Sequence, residues 1–133
     1  MSKVVIYTDG GARNNPGPAG VGVVIRDGAK TVEFKKFLGE RTNNGAEYEA
    51  LALQEAKKRG LAGRDIEVRM DSELIVRQLT NKYQIKEETL WPQYMKVHNL
   101  IIAHFPNITF VHVRREDNGQ ADRLVNEAID EAS

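Results

Sequence analysis

Apolar positions along this chain follow a two-residue period in its first part and a helical period later. Short runs of β-branched residues predict three strands near the start, and the pair Asp27-Gly28 predicts a hairpin between the second and third. Farther on, helical spacing alternates with short apolar runs. The expected strands are 3–8, 20–26, 31–38, 65–70 and 107–113, and the expected helices are 44–59, 72–79, 90–104 and 120–132.

This order of elements predicts an α/β fold built on a five-stranded mixed sheet. Its first three strands would form an antiparallel meander, and the later ones would belong to βαβ units flanked by helices in one layer or two. At 133 residues, the chain is expected to be a single domain, 1–133, large enough to bury a core.

Composition is that of a globular protein, with 41% hydrophobic and 29% charged residues. No cysteine is present, which excludes disulfides and thiolate metal sites and is compatible with a reducing compartment. The residues before the first strand are too few for a signal peptide, and no apolar run reaches the length of a membrane span. We therefore expect a cytoplasmic protein without membrane attachment.

Charge is balanced, with 19 basic and 19 acidic residues, and so gives no sign of a nucleic-acid partner by itself. A nucleic-acid-binding protein of this composition must keep its positive charge local. Alternatively, it must neutralise backbone phosphates partly through bound cations.

Asp9 is the first acidic residue in an unusual setting. It follows the apolar run of the first strand, and seven Gly, Asn and Pro residues occupy the next nine positions, so we expect the chain to reverse at once. A carboxylate among apolar residues is costly without a partner. Asp9 is therefore either a turn cap or a metal ligand.

Three more carboxylates have comparable positions: Glu47 in the first turn of the first helix, Asp71 after the fourth strand, and Asp122 at the start of the last helix. Each also has a purely structural explanation. Glu47 lies three residues after Asn44, as in a capping box. Asp71 could cap the helix that follows. Asp122 suits the positive end of a helix dipole.

Strand ends and helix starts converge on one crevice in α/β sheets, so the four carboxylates are expected to meet there. Four such groups repel one another unless cations lie between them, and Mg²⁺ and Mn²⁺ prefer oxygen ligands. Two such ions ~3.5–4 Å apart can activate a water and stabilise the leaving oxygen of a phosphodiester.

Four segments in register resemble type 1 ribonuclease H. They are Tyr-Thr-Asp-Gly-Gly at 7–11 with the following Asn-Pro-Gly, Thr-Asn-Asn-Gly-Ala-Glu at 42–47, Met-Asp-Ser-Glu at 70–73, and Ala-Asp-Arg-Leu-Val-Asn-Glu-Ala at 121–128. The match in order and spacing covers essentially the whole chain. It implies the ribonuclease H-like fold and hydrolysis of the RNA strand of RNA–DNA hybrids, leaving 5′-phosphate and 3′-hydroxyl ends. It also implies that Asp9, Glu47, Asp71 and Asp122 are catalytic ligands of two Mg²⁺ (or Mn²⁺) ions.

The resemblance also implies residues that contact the hybrid. Short amides can bond the 2′-hydroxyl without adding charge, glycines let backbone approach the RNA strand, and a threonine would meet a DNA phosphate. Glu73 stands where the family usually has glutamine. The set is Gly10, Gly11, Asn15, Thr42, Asn43, Asn44, Ser72 and Glu73.

Other departures from the family concern the substrate. Many members have a basic protrusion where residues 79–89 are short and contain two lysines, so hybrid binding is expected to be weak. Glu87 replaces an asparagine that often helps to bind a DNA phosphate. The loop 114–119 lacks the family's histidine, and Arg115 is the candidate replacement, able to hold a phosphate but not to act as a base. The alternative is a surface arginine. If strand geometry continues there, Arg114 points the opposite way.

The expected partner is an RNA–DNA hybrid, and we expect a monomer without an obligate protein partner. Two other functions stay open at this point. One is a different nuclease or strand-transfer enzyme on the same fold, which cleavage of hybrid against duplex DNA would distinguish. The other is a non-catalytic hybrid-binding module, which the presence of all four carboxylates disfavours.

Overall fold

A computed structural model of the protein describes residues 3–42, 44–80 and 91–132. Asn43, Glu87 and most of the segment expected to replace the basic protrusion lie outside the described residues. The strands are β1 (Val4–Ala12), β2 (Gly17–Asp27), β3 (Lys30–Arg41), β4 (Ile66–Met70) and β5 (Ile108–His112). The helices are α1 (Gly45–Lys58), α2 (Glu73–Leu79), α3 (Trp91–His104) and α4 (Gly119–Glu131).

The strands form one mixed sheet in the order β3-β2-β1-β4-β5. The first three are antiparallel neighbours, whereas β4 pairs in parallel with both β1 and β5. This confirms the predicted α/β fold with its meander and its βαβ units. The central strand β1 therefore has an antiparallel neighbour on one side and a parallel neighbour on the other.

Helices cover both faces of the sheet, which settles the number of layers that the sequence left open. On one face, α1 and α3 pack on inward side chains of β1, β2 and β4, including Ile6, Val23 and Val68. On the other face, α4 crosses β2 and β3, and its residues Ala121 and Leu124 contact Val24. Alternate residues of β2 thus serve two cores, as the two-residue period of a strand requires.

The first strand is longer than the sequence predicted, and the expectation that Asp9 ends it was wrong. Strand β1 continues to Ala12, and Asp9 lies opposite Gly22 within the hairpin. The last parallel pair between β1 and β4 is Tyr7 with Arg69, so Asp9 lies where β1 has passed the end of β4. Pairing with β2 overrides the weak strand propensity of the glycines that follow Asp9.

Two of the glycines allow close packing next to this carboxylate. A Cβ atom at Gly22 would lie 2.3 Å from the carbonyl oxygen of Ala121, so only glycine lets the start of α4 approach β2 so closely. A Cβ atom at Gly10 would lie 2.2 Å from the ring of Tyr48. The two glycines thus allow α4 and α1 to pack closely against the sheet next to Asp9, one on each face.

Within the described ranges, no helix is both long and apolar enough to cross a membrane.

Candidate active site

A cleft of about 400 Å³ opens where β1 and β4 meet the starts of α1 and α2. Asp9 and Asp71 line it, and Arg115 stands at its edge. The strand–helix connections bring these groups together: Asp71 follows the last residue of β4, and Asp122 lies in the first turn of α4. The expected convergence of strand ends and helix starts therefore includes Asp9, Asp71 and Asp122.

Asp9 is the electrostatic centre of this group. Burial, together with the neighbouring charges of Asp71 and Asp122, raises the pKa of Asp9 from 3.8 to about 7. The backbone N–H of Gly10 donates to Asp9 Oδ1 at 2.9 Å and opposes this rise. Repulsion and desolvation thus exceed the local hydrogen bonding, and a divalent cation at this position would relieve both.

Asp71 does not cap α2, contrary to the structural explanation of that residue. The N-cap is Ser72, whose hydroxyl oxygen accepts from the N–H of Ile75 at 3.4 Å. The carboxylate of Asp71 is free from the helix start and lines the cleft. Helix capping therefore does not explain why an aspartate stands at position 71.

Glu47 is oriented differently from the other three carboxylates. Its Oε1 accepts from Arg41 Nε at 3.0 Å, while the side chain of Asn44 caps α1 through the N–H groups of Ala46 and Glu47. Glu47 is not among the charges that shift the pKa of Asp9. In the described part of the chain, no group of three acidic or histidine side chains is already arranged to hold a metal ion. Glu47 would have to leave Arg41 to join the others.

Arg115 approaches the cleft as proposed from the sequence, but on a different backbone. Its Nε lies 4.0 Å from Asp71 Oδ2, and its side chain is 87% exposed. The loop forms a 3₁₀ turn over Arg115–Asn118, so the condition of continued strand geometry, on which the opposite orientation of Arg114 depended, is not met. Arg114 nevertheless points elsewhere, with its Nε 3.2 Å from Asp117 and 3.6 Å from Glu116.

The expected hybrid-contacting residues lie around the cleft in varied settings. Gly10, Asn44 and Ser72 line it, and the latter two also cap helices. Thr42 is exposed just before α1, and Asn15 is exposed in the turn between β1 and β2. Gly11 has open space around its Cα atom. Glu73 forms an ion pair with Arg77 at 2.7 Å.

Sequence reasoning missed a buried carboxyl beneath the cleft. Glu49 is 3% exposed and accepts a hydrogen bond from the hydroxyl of Thr8, the residue before Asp9, while its Oε2 has no protein partner among the described residues. Burial raises the pKa of Glu49 to about 7. The available signal was its spacing, because position 49 falls on the same helix face as Ala46 and Leu53.

Together, the sheet order and the aspartates where β1 passes the end of β4 define the class: an α/β protein of the ribonuclease H fold. Comparison with known proteins agrees. The family described as "Reverse transcriptase-like" matches residues 7–128. LC11-RNase H1, isolated from compost by a metagenomic approach, is 50% identical, superposes with a TM-score of 0.92, and is covered over 99% of both chains. The chain belongs to the type 1 ribonuclease H family.

Two curated relatives are longer than this chain, which matches only part of each. Ribonuclease HI of Halobacterium salinarum is 40% identical over 98% of this chain and 66% of its own length. The bifunctional protein Rv2228c of Mycobacterium tuberculosis is 40% identical over 98% of this chain. The chain spans 36% of the length of that mycobacterial protein.

Proposed function

We propose that this protein cleaves the RNA strand of RNA–DNA hybrids endonucleolytically, leaving 5′-phosphate and 3′-hydroxyl ends. The observation that carries the proposal is the cluster of Asp9, Asp71 and Asp122 in a ribonuclease H domain: the first two line the cleft, and Asp122 interacts with Asp9. A solved structure of LC11-RNase H1, 52% identical over 97% of this chain with a TM-score of 0.88, is a complex with an RNA/DNA hybrid, which supports this choice of substrate.

The donor set fits divalent cations. Asp9, Asp71 and Asp122 offer hard oxygen ligands. Burial and their mutual repulsion, which together raise the pKa of Asp9, would both be relieved by bound positive charge. Glu47 would complete the set after exchanging Arg41 for a cation. When bound, two Mg²⁺ or Mn²⁺ ions would supply water activation and stabilisation of the leaving oxygen.

The remaining residues of the cleft hold and orient the substrate. Arg115 is placed at the edge, where an exposed guanidinium can bind a phosphate through two oxygens. Asn44 caps α1 and would meet the hybrid at the start of that helix. Thr8, bonded to buried Glu49, supports the backbone that carries Asp9. A cytoplasmic location and a monomeric state are part of the same proposal.

Cleavage of four end-labelled substrates tests the function: RNA–DNA hybrid, RNA duplex, single-stranded RNA and DNA duplex, each with and without Mg²⁺ or Mn²⁺. We expect internal cuts in the RNA strand of the hybrid, dependent on the metal, and RNA fragments with 3′-hydroxyl ends that a polymerase can extend. Cleavage of the DNA duplex would favour the other nuclease or strand-transfer activity. Binding of the hybrid without cleavage under any metal condition would favour the non-catalytic module.

A further inference from the structure

Two polar side chains occupy positions of the core beneath the acidic cleft whose neighbours are apolar. Thr8 follows Ile6 on the same face of β1 and is 1% exposed. Glu49 lies on the buried side of α1, between Ala46 and Leu53, and is 3% exposed. The hydroxyl of Thr8 donates a hydrogen bond to Oε1 of Glu49, so the two polar groups meet inside the core.

The carboxyl of Glu49 is only partly compensated for the loss of its hydration. A buried carboxyl is costly unless hydrogen bonds or an ion pair satisfy its oxygens. Thr8 donates one hydrogen bond to Oε1, whereas Oε2 accepts none within the described ranges. A methionine at position 49 would fill a similar volume without this cost. We therefore expect the carboxyl to serve a purpose other than packing.

The partner of Glu49 immediately precedes Asp9, at the point where β1 loses one of its neighbouring strands. Pairing of β1 with β4 ends at Tyr7, so Thr8 and Asp9 pair only with β2. Two buried side chains hold Thr8 in addition: Glu49 accepts from its hydroxyl, and Nδ2 of Asn118 donates to its carbonyl oxygen at 2.8 Å. These bonds come from α1 and from the turn before α4, which pack on opposite faces of the sheet. The backbone next to Asp9 is thus anchored by long-range polar contacts where strand pairing is incomplete.

We propose that Glu49 is a positioning residue of the metal site, which orients the carboxylate of Asp9 by fixing Thr8. Successive side chains of a strand point to opposite faces, so holding the side chain of Thr8 also sets the direction of Asp9. The helix that carries Glu49 also carries Glu47, so the bond ties the strand of one expected ligand to the helix of another. The inference rests on the proposed function, because it takes Asp9 as a ligand of a divalent cation.

Calorimetric titration of the protein with Mn²⁺, in the absence of hybrid, tests this role without relying on activity. Glu49→Met should weaken Mn²⁺ binding about ten- to a hundredfold, the usual loss when a group that orients a metal ligand is removed. The melting temperature without metal should stay the same or rise. Glu49→Gln, which keeps an oxygen acceptor for Thr8, should retain most of the parent's affinity. The matched control is Glu55→Met, which makes the same change in a carboxylate on α1 that is paired with Arg59 and should leave Mn²⁺ affinity unchanged.

A double variant separates action through Thr8 from other effects of Glu49. Thr8→Val removes the hydroxyl and should weaken Mn²⁺ binding to a similar extent, whereas Thr8→Ser, which keeps the donor, should retain most of the affinity. Because Thr8→Val and Glu49→Met remove the same hydrogen bond, the double variant should bind Mn²⁺ no more weakly than either single variant. If Glu49→Met does not fold, the comparison of Thr8→Val with Thr8→Ser makes the same test from the strand.

Three results would overturn the inference: parental Mn²⁺ affinity in Glu49→Met or Thr8→Val, equal losses in Glu49→Met and Glu49→Gln, or losses that multiply in the double variant. Hybrid cleavage by the parent protein distinguishes these results from failure of the proposed function. A parent that binds Mn²⁺ and cleaves hybrid leaves the proposed function standing even when Glu49 has no effect. A parent that neither binds Mn²⁺ nor cleaves hybrid would overturn both.

Discussion

Charged side chains are arranged in opposite ways on the two faces of this molecule. On the face covered by α4, cations and carboxylates are paired: Lys35 with Glu127 and Glu131, Arg123 with Glu33 and Glu127, and Arg13 with Asp130. Around the cleft, charges are instead grouped by sign: Asp71 and Asp122 both lie close enough to Asp9 to raise its pKa. Beside them, Lys36, Arg41 and Lys96 line a groove whose one carboxylate is that of Glu47.

The difference shows where charge serves packing and where it serves a ligand. Pairs on an exposed surface satisfy each other and contribute little individually. Groups of like charge destabilise the free protein, and the neighbouring charges of Asp71 and Asp122 add to the effect of burial in raising the pKa of Asp9. Such a cost is typical of functional sites, where a bound ligand compensates it. A chain with no net charge can in this way keep two strongly charged surfaces of opposite sign.

The largest expected effect comes from breaking the acidic group. Asp71→Asn should lower hybrid cleavage at least ~1,000-fold, equivalent to about 4 kcal/mol of transition-state stabilisation, because a metal ligand is lost while the shape is kept. The melting temperature of the metal-free protein should stay the same or rise, since one of the mutually repelling charges is removed.

Asp130→Asn is the matched control, because it makes the same change in a carboxylate that is paired with Arg13 on the α4 face. That variant should cleave hybrid at the parent's rate. Near-parental turnover in Asp71→Asn would exclude this carboxylate from the catalytic set. The difference between grouped and paired charges would then have no bearing on catalysis.

A smaller loss is expected at the edge of the cleft. Arg115→Ala should slow hybrid cleavage about ten- to a hundredfold, with unchanged metal dependence, if the guanidinium contributes roughly 1.5–3 kcal/mol through a charged contact in the transition state. Arg115→Lys should restore part of the rate, because an ammonium cannot bind two oxygens at once.

Arg114→Ala controls for the loss of positive charge from the same loop. Its guanidinium is directed at Glu116 and Asp117 rather than at the cleft. If the Arg115→Ala and Arg114→Ala variants cleave hybrid at the same rate, Arg115 is only a surface charge. Proton transfer would then depend on groups other than a side chain of this loop.

The raised pKa of Asp9 should also make the free energy of unfolding depend on pH. Asp9 has a pKa of about 7 in the folded, metal-free protein against a usual 3.8, so the folded state binds a proton that the unfolded state has released. Its contribution to the free energy of unfolding is therefore fully present below about pH 4 and is lost as the pH rises toward 7.

Urea unfolding of the parent and of Asp9→Asn, in EDTA between pH 4 and 8, measures this contribution. The stability of Asp9→Asn relative to the parent should increase over that range, by an amount on the order of 1–3 kcal/mol. Mg²⁺ should shrink the increase. A constant difference between the two proteins across the range would mean that Asp9 ionises normally, and that the carboxylates do not interact as their positions indicate.

Much of the fold followed from local sequence signals, and so did the residues of the acidic group. The strands and helices lie close to their expected positions because their apolar periods are strong. The extension of β1 past Asp9 was missed because Gly10 and Gly11 form strand only through pairing with β2, a contact that sequence propensity does not contain.

Orientation of side chains was harder to foresee than their convergence. The sequence placed Glu47 with the aspartates, but its partner Arg41 comes from the end of β3, and only the packing of β3 beside α1 brings the two together. Buried Glu49 depends similarly on Thr8, 41 residues away. Hydrogen-bond partners distant in sequence have no local signal. The same limit explains why the groove that Lys36, Arg41 and Lys96 line, assembled from β3, α1 and α3, was not predicted.

The smallest effect is expected on the paired face, and it tests the other half of the comparison. Lys35 contacts Glu127 at 3.1 Å and Glu131 at 2.6 Å, and its side chain is 31% exposed. Lys35→Ala should lower the free energy of unfolding only slightly, since solvent and salt screen these pairs. Hybrid cleavage should not change.

A double-mutant cycle that combines Lys35→Ala with Glu131→Ala, measured by urea unfolding at low and high salt, isolates the coupling energy between the two side chains. This coupling should shrink as salt is added. A large coupling that does not change with salt would show that the network between β3 and α4 acts as a buried structural element, because only poorly screened charges interact in that way. The paired face would then carry a substantial share of the stability rather than merely neutralising its own charge.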